Sequence, residues 1–493
     1  MQQRTLSAPE ATIAFTARQL LFAIAVLPLA LAAAAQPHPC APLPAQHDRI
    51  VHLTPEQDLA AILRNAQPAT TFLLADGTYR VSRNCVITTP DITVRSASGA
   101  RDNVIIDGNN GGLPLNRSSF TPETIVIRAS DVTLADLTIR YARDHGIHIS
   151  GAPDHTIHNV VMHNIRVYDC GQQLIKVNSN GNPDNLTFAD SGRLECSLIE
   201  FVDNSVMQYV ASGDYYYTGG LDVHAGDGWV VRSNTFRNIN NRGKLMEHAV
   251  HMWSKSRRTL IENNRFENVY RAIGLGMKVT ETGPLERHYH DGRGTDPYFD
   301  HIGGMVRNNT VWNEAGIRLE SGIELMNVID VEVYHNTIVS LSPPYSSIEY
   351  RWPNTHVVLK NNLCSHRIMA RNGAQALTAS NHQNAPLSFF VDAAIGNLHL
   401  HPNAEVRHQG VVLPEGKAGV DMDCELRGAQ PDIGADEVDG LPLHTDNSPP
   451  GPLPPARTQN YQTVGRFQFN GREQQWYSLA RTPCTTCPGF PGR

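Results

Sequence analysis

The chain has 493 residues, in which 41 Lys and Arg stand against 48 Asp and Glu for a formal net charge of −7 at pH 7. The mildly acidic balance and the lack of a Lys/Arg run predict no nucleic-acid partner. The length would suit several ordinary domains, but a solenoid of stacked repeats can take up the same length as one body.

The first 35 residues predict a secretory signal peptide. Arg4 and Arg18 supply positive charge, Leu20–Leu31 form an apolar core, and Ala33–Ala35 suit a cleavage site. The apolar run is short for a membrane span and contains a proline. We therefore expect a secreted or periplasmic protein with no membrane attachment after cleavage, in which residues 36–50 form an N-terminal arm.

Export permits disulfide bonds, and the chain has eight cysteines. Cys170 and Cys196 flank an insertion between two repeats, so we expect them to form a bridge. A bridge between Cys40 and Cys85 would attach the N-terminal arm. The sequence alone does not fix the pairing.

A helix is predicted from Thr54 to about Asn65. Thr54 can cap its free N–H groups, Pro55 suits the first turn, and Gln57 completes a capping box. A β-solenoid needs protection against edge-to-edge pairing at its open end, and this helix is the predicted cap.

Two β-rich runs follow the helix: Thr71–Val81 reads TFLLADGTYRV, and Ile92–Gly108 reads ITVRSASGARDNVIIDG. They resemble the opening rungs of the pectate-lyase-like right-handed parallel β-helix superfamily, nearest the chondroitinase B and alginate lyase type. The run PDIGADE at Pro431–Glu437 is similar to the closing motif of secreted bacterial β-helix repeat proteins. The resemblance implies an all-β fold, a single right-handed parallel β-helix over residues 51–440, with activity on acidic polysaccharides.

Repeats of about 30 residues can also be aligned without this resemblance, beginning from the segments Gly219–Ile239 and Glu247–Val269. A repeat step of this length is typical of a solenoid. One polar position, nearly always Asn, recurs in each repeat and is expected to form a structural ladder between rungs. The aligned residues are Asp136, Asn164, Asn204, Asn234, Asn264, Asn309, Asn336 and Asn362.

A short strand in each repeat has apolar second and fourth positions, so its third and fifth positions are expected to face outward. The third positions, in order, are His148, Lys176, Asp222, His251, Gly274, Glu324 and Glu349. The fifth positions are Ser150, Asn178, His224, Trp253, Gly276, Met326 and Arg351. This mixture of His, Lys, Trp, acids and Arg favours a functional groove over an ordinary solvated strand face.

A long polar groove on a secreted solenoid suits an extended polymer. The family resemblance implies lyases of acidic polysaccharides, which remove a proton beside a carboxylate and expel the glycosidic oxygen. Lys176, His251 or His224 is the predicted base. Asp222 would orient His251 or hold Lys176 in its charged form.

Such a lyase also needs a group that neutralises the substrate carboxylate. Arg351, or a Ca²⁺ held by Glu324 and Glu349, is predicted in this role. The insertion Met277–His301 adds further polar side chains after the groove strands. The predicted substrate-binding residues are His148, Asn178, Trp253, Tyr216 and Arg293.

Three alternatives remain open at this stage. A glycoside hydrolase would use paired carboxylates, either Glu324 with Glu349 or Asp222 with Asp227. A non-catalytic carbohydrate-binding or adhesive solenoid fits the same fold. A metal site is the third alternative, with ligands among His148, Asp222 and His251.

The chain becomes rich in Pro after Leu441, with NSPPGPLPPARTQ as the clearest run. This composition predicts a disordered tail over residues 441–493 that takes no part in catalysis. We expect a monomer whose partner is an acidic polysaccharide.

Overall fold

The computed structural model describes residues 47–112, 115–182, 184–241, 243–277 and 299–442, together with Cys40, residues 42–44, Arg287, Tyr289 and the strands Tyr461–Phe469 and Arg472–Leu479. The predicted signal peptide lies outside these residues. Within them, no helix combines the length and the apolar character that a membrane crossing requires.

Three long parallel sheets form the body of the chain, and the backbone passes from one to the next in each rung. Neighbouring strands within a sheet come from successive rungs, which is the topology of a parallel β-helix. The predicted all-β solenoid is therefore confirmed.

Sheet 1 has 12 strands: Arg49–Leu53, Thr70–Leu74, Ile92–Ser96, Val132–Ala135, Val161–His163, Arg193–Glu195, Val230–Arg232, Ser256–Glu262, His301–Arg307, Val328–Tyr334, His356–Lys360 and Gln375–Ala379. Sheet 2 has 10 strands: Gly77–Arg80, Val104–Asp107, Thr138–Arg140, Arg166–Tyr168, Leu198–Glu200, Thr235–Arg237, Arg265–Glu267, Thr310–Asn313, Thr337–Ser340 and Leu363–Cys364. Sheet 3 also has 10 strands: Cys85–Ile87, Thr121–Ile127, Ala142–Ser150, Ile175–Asn178, Leu221–His224, Val250–Trp253, Arg271–Leu275, Ser321–Met326, Ser346–Arg351 and Ile368–Arg371.

Smaller elements lie in the connections. The 3₁₀ helices are Arg101–Asn103, Arg117–Ser119, Asn204–Val206, Ala211–Gly213, Leu387–Phe389 and Ala393–Ile395. The short sheets pair Ile157–His158 with Ala189–Asp190, Tyr215–Tyr216 with both Tyr209–Val210 and Leu245–Met246, Phe390–Asp392 with Asn397–Leu400, Glu425–Leu426 with Leu441–Pro442, and Tyr461–Phe469 with Arg472–Leu479. The last pair lies in the segment predicted to be a disordered tail.

The described residues contain one α-helix, Leu59–Arg64, which is shorter than predicted. Asp58 caps it in place of Thr54, because the Asp58 carboxylate accepts the Ala61 N–H at 3.0 Å. The Thr54 N–H is instead accepted by Gln57 Oε1 at 2.7 Å. The role of this helix as an end cap stays a prediction.

The apolar faces of the three sheets enclose one elongated core. The second and fourth positions of the sheet 3 strands are fully buried, for example Ile147, Ile175, Leu221 and Val250. On sheet 2, Phe236 and Phe266 of neighbouring rungs stack with ring centroids 5.0 Å apart. Each such side chain stabilises the fold by about 1.5–3 kcal/mol on burial, which fixes the opposite strand positions on the outer face.

Buried Asn side chains form the predicted ladder at the turn between sheets 1 and 2. Its members are Asn234, Asn264, Asn309, Asn336, Asn362 and Asn381. Each Nδ2 donates to Oδ1 of the next member at 2.8–3.0 Å. The ladder satisfies polar groups that would otherwise be unpaired inside the turn.

Three predicted members, Asp136, Asn164 and Asn204, do not belong to this ladder. Asn204 starts a 3₁₀ helix, and Ser197 takes its place, with its N–H donating to Asn234 Oδ1 at 2.9 Å. Asn164 lies one position earlier, in the left-handed region at φ 49°, and donates to Asp136 Oδ1 at 2.9 Å. The left-handed corner and the ladder are therefore consecutive positions, whereas the sequence alignment merged them.

Asn309→Ala is expected to lower the free energy of unfolding by about 1–3 kcal/mol. Asn309 is fully buried and bonds Asn264 on one side and Asn336 on the other, so alanine leaves both neighbours short of a partner. Urea denaturation followed by circular dichroism measures the loss. Asn204→Ala, outside the ladder, is the control and should cost less; equal losses would contradict this role of the ladder.

A disulfide attaches the N-terminal arm, but to a different rung from the one predicted. Cys40 is bonded to Cys196, with Cα atoms 5.3 Å apart. Both predicted pairings are therefore wrong. Cys85 and Cys170 are free and fully buried in the core, whereas Cys196 occupies a left-handed corner at φ 57° that the arm can reach.

Candidate functional site

Sheet 3 carries the row of polar residues predicted to line a groove, and it does so in the predicted register. The third positions form one row, and each member is paired with the next: His148, Lys176, Asp222, His251, Gly274, Glu324 and Glu349. Consecutive members lie on strands about 4.8 Å apart, so their side chains are in contact range.

Lys176 and Asp222 form a buried ion pair at the centre of a polar cluster. Each residue is 4% exposed. Lys176 Nζ donates to Asp222 Oδ2 and, at 2.8 Å, to His224 Nε2, while Trp253 Nε1 donates to Asp222 Oδ1 at 2.6 Å. Burial alone would raise the pKa of the Asp222 carboxyl, but Lys176 and His224 outweigh it and hold that pKa well below its usual range. The predicted role of Asp222 as the partner of Lys176 is consistent with these contacts.

Aromatic rings order the next part of the groove. The Trp253 indole meets His224 edge-on at 4.3 Å between centroids and lies parallel to His251 at 5.2 Å. His251 Nε2 donates to the Gly276 carbonyl at 3.1 Å. Burial, together with the neighbouring His248, lowers the pKa of His251 to about 3, so this imidazole is neutral at pH 7.

A second outward row lies three residues before the first, and sequence reasoning missed it. Its larger polar members are Glu123, His145, Gln173, His248 and Arg271, and Ser321 and Ser346 continue the same register. Gln173, His248 and Arg271 stand at or just before the strand starts, where the strict apolar alternation breaks down: Ala249, after His248, is itself fully buried. A polar residue recurring at this fixed offset was the available signal.

Two carboxylates and three guanidinium groups form a cluster farther along the groove. Arg351 Nη1 lies 3.3 Å from Glu324 Oε1 and 3.6 Å from Glu349 Oε1. Arg371 donates to Glu349 Oε2 at 3.0 Å, and Arg271 Nε lies 3.7 Å from Glu324 Oε2. Three cations around two carboxylates leave no excess negative charge, so these residues do not fit the predicted Ca²⁺.

The two carboxyl groups of this cluster have opposite pKa shifts. Burial alone would raise the pKa of Glu324, but His248 and Arg271 outweigh it and hold that pKa well below its usual range. Burial and the adjacent Glu324 raise the pKa of Glu349 to about 7. A proton shared between them would therefore reside on Glu349.

The raised pKa of Glu349 predicts a pH dependence of stability. Between about 4.5, its ordinary pKa, and about 7, the folded chain keeps a proton that the unfolded chain has lost, so stability falls as the pH rises. Glu349→Gln mimics the protonated acid and is expected to remove this part of the slope. Urea midpoints measured at pH 5 and pH 7.5 for both proteins test it, and an unchanged slope in the variant would contradict it.

His148 forms a separate pair at the other end of the row. Its Nδ1 donates to Glu123 Oε1, and its Nε2 has no hydrogen-bond partner among the described residues. Burial alone would raise the pKa of Glu123, but the bond from His148 outweighs it and lowers that pKa. The His148 side chain is 18% exposed, and its Nε2 atom lies buried just beneath that exposed part.

The remaining predicted residues are divided between the groove and its borders. Asn178 follows Lys176 on the groove strand, and its Oδ1 is buried without a partner in the described part of the chain. Tyr216 belongs to a short border sheet and packs on Tyr209 at 5.1 Å, which favours a packing role. Arg293 lies outside the described residues.

Arg287, within the insertion after Gly276, reaches the end of a sheet 3 strand. It donates to the Ala225 carbonyl at 2.7 Å, and Ala225 directly follows His224. Arg287 also forms an ion pair with Asp190 at 2.6 Å. Arg287 therefore lies beside the Lys176 cluster.

Comparison with known proteins gives structural likeness only. No family model matches the sequence, and no curated protein matches it. A pectate lyase, Pel9A, is 13% identical with a TM-score of 0.47 over 79% of this chain and 96% of its own. An alginate lyase from Paenibacillus sp. str. FPU-7 is 13% identical with a TM-score of 0.34 over 68% and 99%. PfbA, a surface adhesin of Streptococcus pneumoniae, is 12% identical with a TM-score of 0.39 over 64% and 84%.

Proposed function

We propose that the protein is a secreted polysaccharide lyase that cleaves an acidic, uronate-containing polysaccharide by β-elimination in the groove of sheet 3. The reaction removes the proton from the carbon beside the uronate carboxylate. The electron pair forms a C=C bond to the adjacent carbon, and the glycosidic oxygen leaves with its bonding electrons and takes a proton from water. The protein must supply a neutral base and, within one sugar ring of it, a cation.

The position of the His148–Glu123 pair beside Lys176 carries this proposal. Glu123 accepts the Nδ1 proton of His148, which leaves the Nε2 lone pair as the proton acceptor and stabilises the imidazolium that forms. Nε2 has no competing partner in the described part of the chain. His148 was predicted to bind substrate, and the contacts favour it as the base.

Lys176 supplies the cation on the adjacent strand. Its backbone is paired with that of His148, and its ammonium group is held in place by Asp222 and His224. An ammonium group has three donors, so one remains for the substrate carboxylate after these two bonds. Lys176 then neutralises the carboxylate while His148 removes the proton one strand away.

Two other predicted catalytic residues receive different roles. His251 is 3% exposed and already donates Nε2–H to a backbone carbonyl, so it is poorly placed to take a proton from a sugar. Arg351 lies five strand spacings from Lys176, or about 24 Å, which is several sugar residues away. Arg351 would therefore bind a carboxylate elsewhere on the polymer.

A hydrolase fits the groove less well. Glycoside hydrolases need carboxyl groups about 5–9.5 Å apart, with the acid and the base on opposite sides of the bond. Glu324 and Glu349 lie opposite each other on adjacent strands and are both bound by arginines. Asp227 is paired with Arg257 and Arg258, so its carboxylate is already engaged.

The proposal is tested by incubating the purified protein with a panel of uronate polymers, with Ca²⁺ or with chelator, and recording ultraviolet absorbance. A rising signal from unsaturated sugar ends is the expected result. New reducing ends without absorbance would overturn the proposal in favour of a hydrolase. Polymer binding with neither product would overturn it in favour of a carbohydrate-binding solenoid.

A further inference from the structure

Glu247, His248 and His251 form a compact cluster between the Lys176 cluster and the carboxylate cluster. One potential ligand atom from each of the three lies within 4.8 Å of the other two. The two imidazoles are buried, at 2% and 3% exposure, and their ring centroids are 4.4 Å apart. The Glu247 side chain is 30% exposed, so the cluster opens to the groove on one side.

Both rings use their Nε2 atoms in bonds that point away from the cluster. His248 Nε2 donates to Glu324 Oε2 at 3.0 Å, and His251 Nε2 donates to the Gly276 carbonyl at 3.1 Å. These bonds place the proton on Nε2 and leave a lone pair on each Nδ1. Metal-binding histidines are held in this way, with the outer N–H on a carboxylate or a backbone carbonyl.

The inner nitrogen of His248 has no partner among the described residues that would account for its burial. His248 Nδ1 is buried without a hydrogen bond in the described part of the chain. His251 Nδ1 lies 4.0 Å from Glu247 Oε2, too far for a hydrogen bond but suitable for two ligands of one ion. A buried, unpaired imidazole nitrogen is destabilising unless something binds it.

Neighbouring residues hold the rings in this arrangement. Trp253 stacks on His251 with an angle of 4° between the ring planes. The His248 ring lies directly over Gly274, where a Cβ would come within 2.6 Å of the imidazole. The row of groove side chains is interrupted at Gly274, and this gap is what allows His248 to reach Glu324.

We propose that Glu247, His248 and His251 bind a divalent first-row transition metal, with Zn²⁺ as the reference ion. Two imidazole nitrogens and one carboxylate are the ligand types such ions prefer, whereas Ca²⁺ takes oxygen ligands. Three protein ligands and an open side leave a coordination position that faces the groove. The site is independent of the proposed lyase base and requires no lyase activity for its detection.

Another group of similar composition does not carry the same inference. His399, Asp423 and Asp436 are also close together among the described residues. There the imidazole Nδ1 lies 3.2 and 3.0 Å from the two carboxylates, which accounts for all three groups as an ion-pair network. The cluster at His248 lacks such an internal explanation.

The test is metal binding by the full secreted chain after treatment with chelator. Calorimetric titration with Zn²⁺ is expected to give one site per chain, and titration with Co²⁺ is expected to give visible absorption bands of a nitrogen-ligated ion. His248→Gln and Glu247→Gln should each abolish the bands. Glu324→Gln, which weakens the acceptor behind His248, should lower the affinity about 10–100-fold.

Matched controls separate ligation from damage to the fold. His145 stands three residues before His148, as His248 stands three residues before His251, but its Nδ1 contacts the Gln173 carbonyl. His145→Gln should bind Zn²⁺ as the wild type does. Gly274→Ala keeps all three ligands but displaces the His248 ring, and should weaken binding.

Circular dichroism and melting without metal establish that each variant is folded. Wild-type protein that binds neither Zn²⁺ nor Co²⁺, binding that survives in folded His248→Gln, or Ca²⁺ binding of equal affinity would each overturn the proposal. Because binding is measured without substrate, these outcomes are distinct from failure of the polymer assay. A protein that binds Zn²⁺ but shows no lyase activity would support the metal site and contradict only the proposed lyase function.

Discussion

Asp222→Ala is expected to destabilise the protein by about 3–5 kcal/mol, because it removes one partner of a buried ion pair. Lys176 and Asp222 are each 4% exposed, so water compensates only poorly for the lost carboxylate. The variant leaves the Lys176 ammonium without its counter-charge and the Trp253 N–H without its acceptor. Equilibrium urea denaturation of the variant and the wild type at pH 7 measures the difference in the free energy of unfolding.

A double variant distinguishes an unpaired charge from simple loss of packing. Lys176→Met with Asp222→Leu removes both charges and keeps much of the volume, so most of the lost stability is expected to return. A loss below about 1 kcal/mol in Asp222→Ala would contradict the buried ion pair. A double variant no more stable than the single one would contradict the electrostatic explanation.

The register of the groove could be predicted from the sequence because it depends on a local rule. Apolar residues at the second and fourth positions of a strand must enter the core, and a shift of one residue would expose them. Ile147, Ile175 and Leu221 are fully buried as this rule requires. The contacts of Lys176 with Asp222 follow directly from that register.

The second row could not be found by the same rule. His248 stands before its strand, and the next residue, Ala249, enters the core, so alternation counted back from Val250 assigns His248 to the wrong face. Glu123 was missed because its strand was absent from the alignment of rungs. Both residues supply partners to side chains that were predicted, His251 and His148.

The disulfide error has a geometric cause. Cys170 and Cys196 are close along the chain to the ends of one insertion, but a bridge requires side chains that approach each other. Cys170 packs inward, where a Cβ added at Gly146 would lie 3.1 Å from its Sγ. Cys196 occupies a left-handed corner and meets Cys40 instead. Only the three-dimensional path of the arm determines this pair.

His148→Ala is expected to lower kcat on the cleaved polymer by about 10²–10⁴-fold, the usual contribution of a general base. The expectation depends on the proposed lyase function and on the Nε2 lone pair, which the bond from Nδ1 to Glu123 leaves without a proton and which has no partner among the described residues. KM should change far less, because most sugar contacts along the groove remain. Initial rates of ultraviolet absorbance at several polymer concentrations measure both constants.

Glu123→Gln tests whether His148 acts as a base or only packs in the fold. Glutamine keeps the shape of Glu123 but removes the charge that stabilises the imidazolium, so kcat should fall and the acidic limb of the rate–pH profile should move to lower pH. His163→Ala is the matched control, since His163 is a buried histidine 3.8 Å from Glu195 on sheet 1. It should leave kcat and the profile unchanged. Loss of a general base leaves far less than a tenth of the wild-type kcat. If His148→Ala kept more than about a tenth, another group would have to be the base.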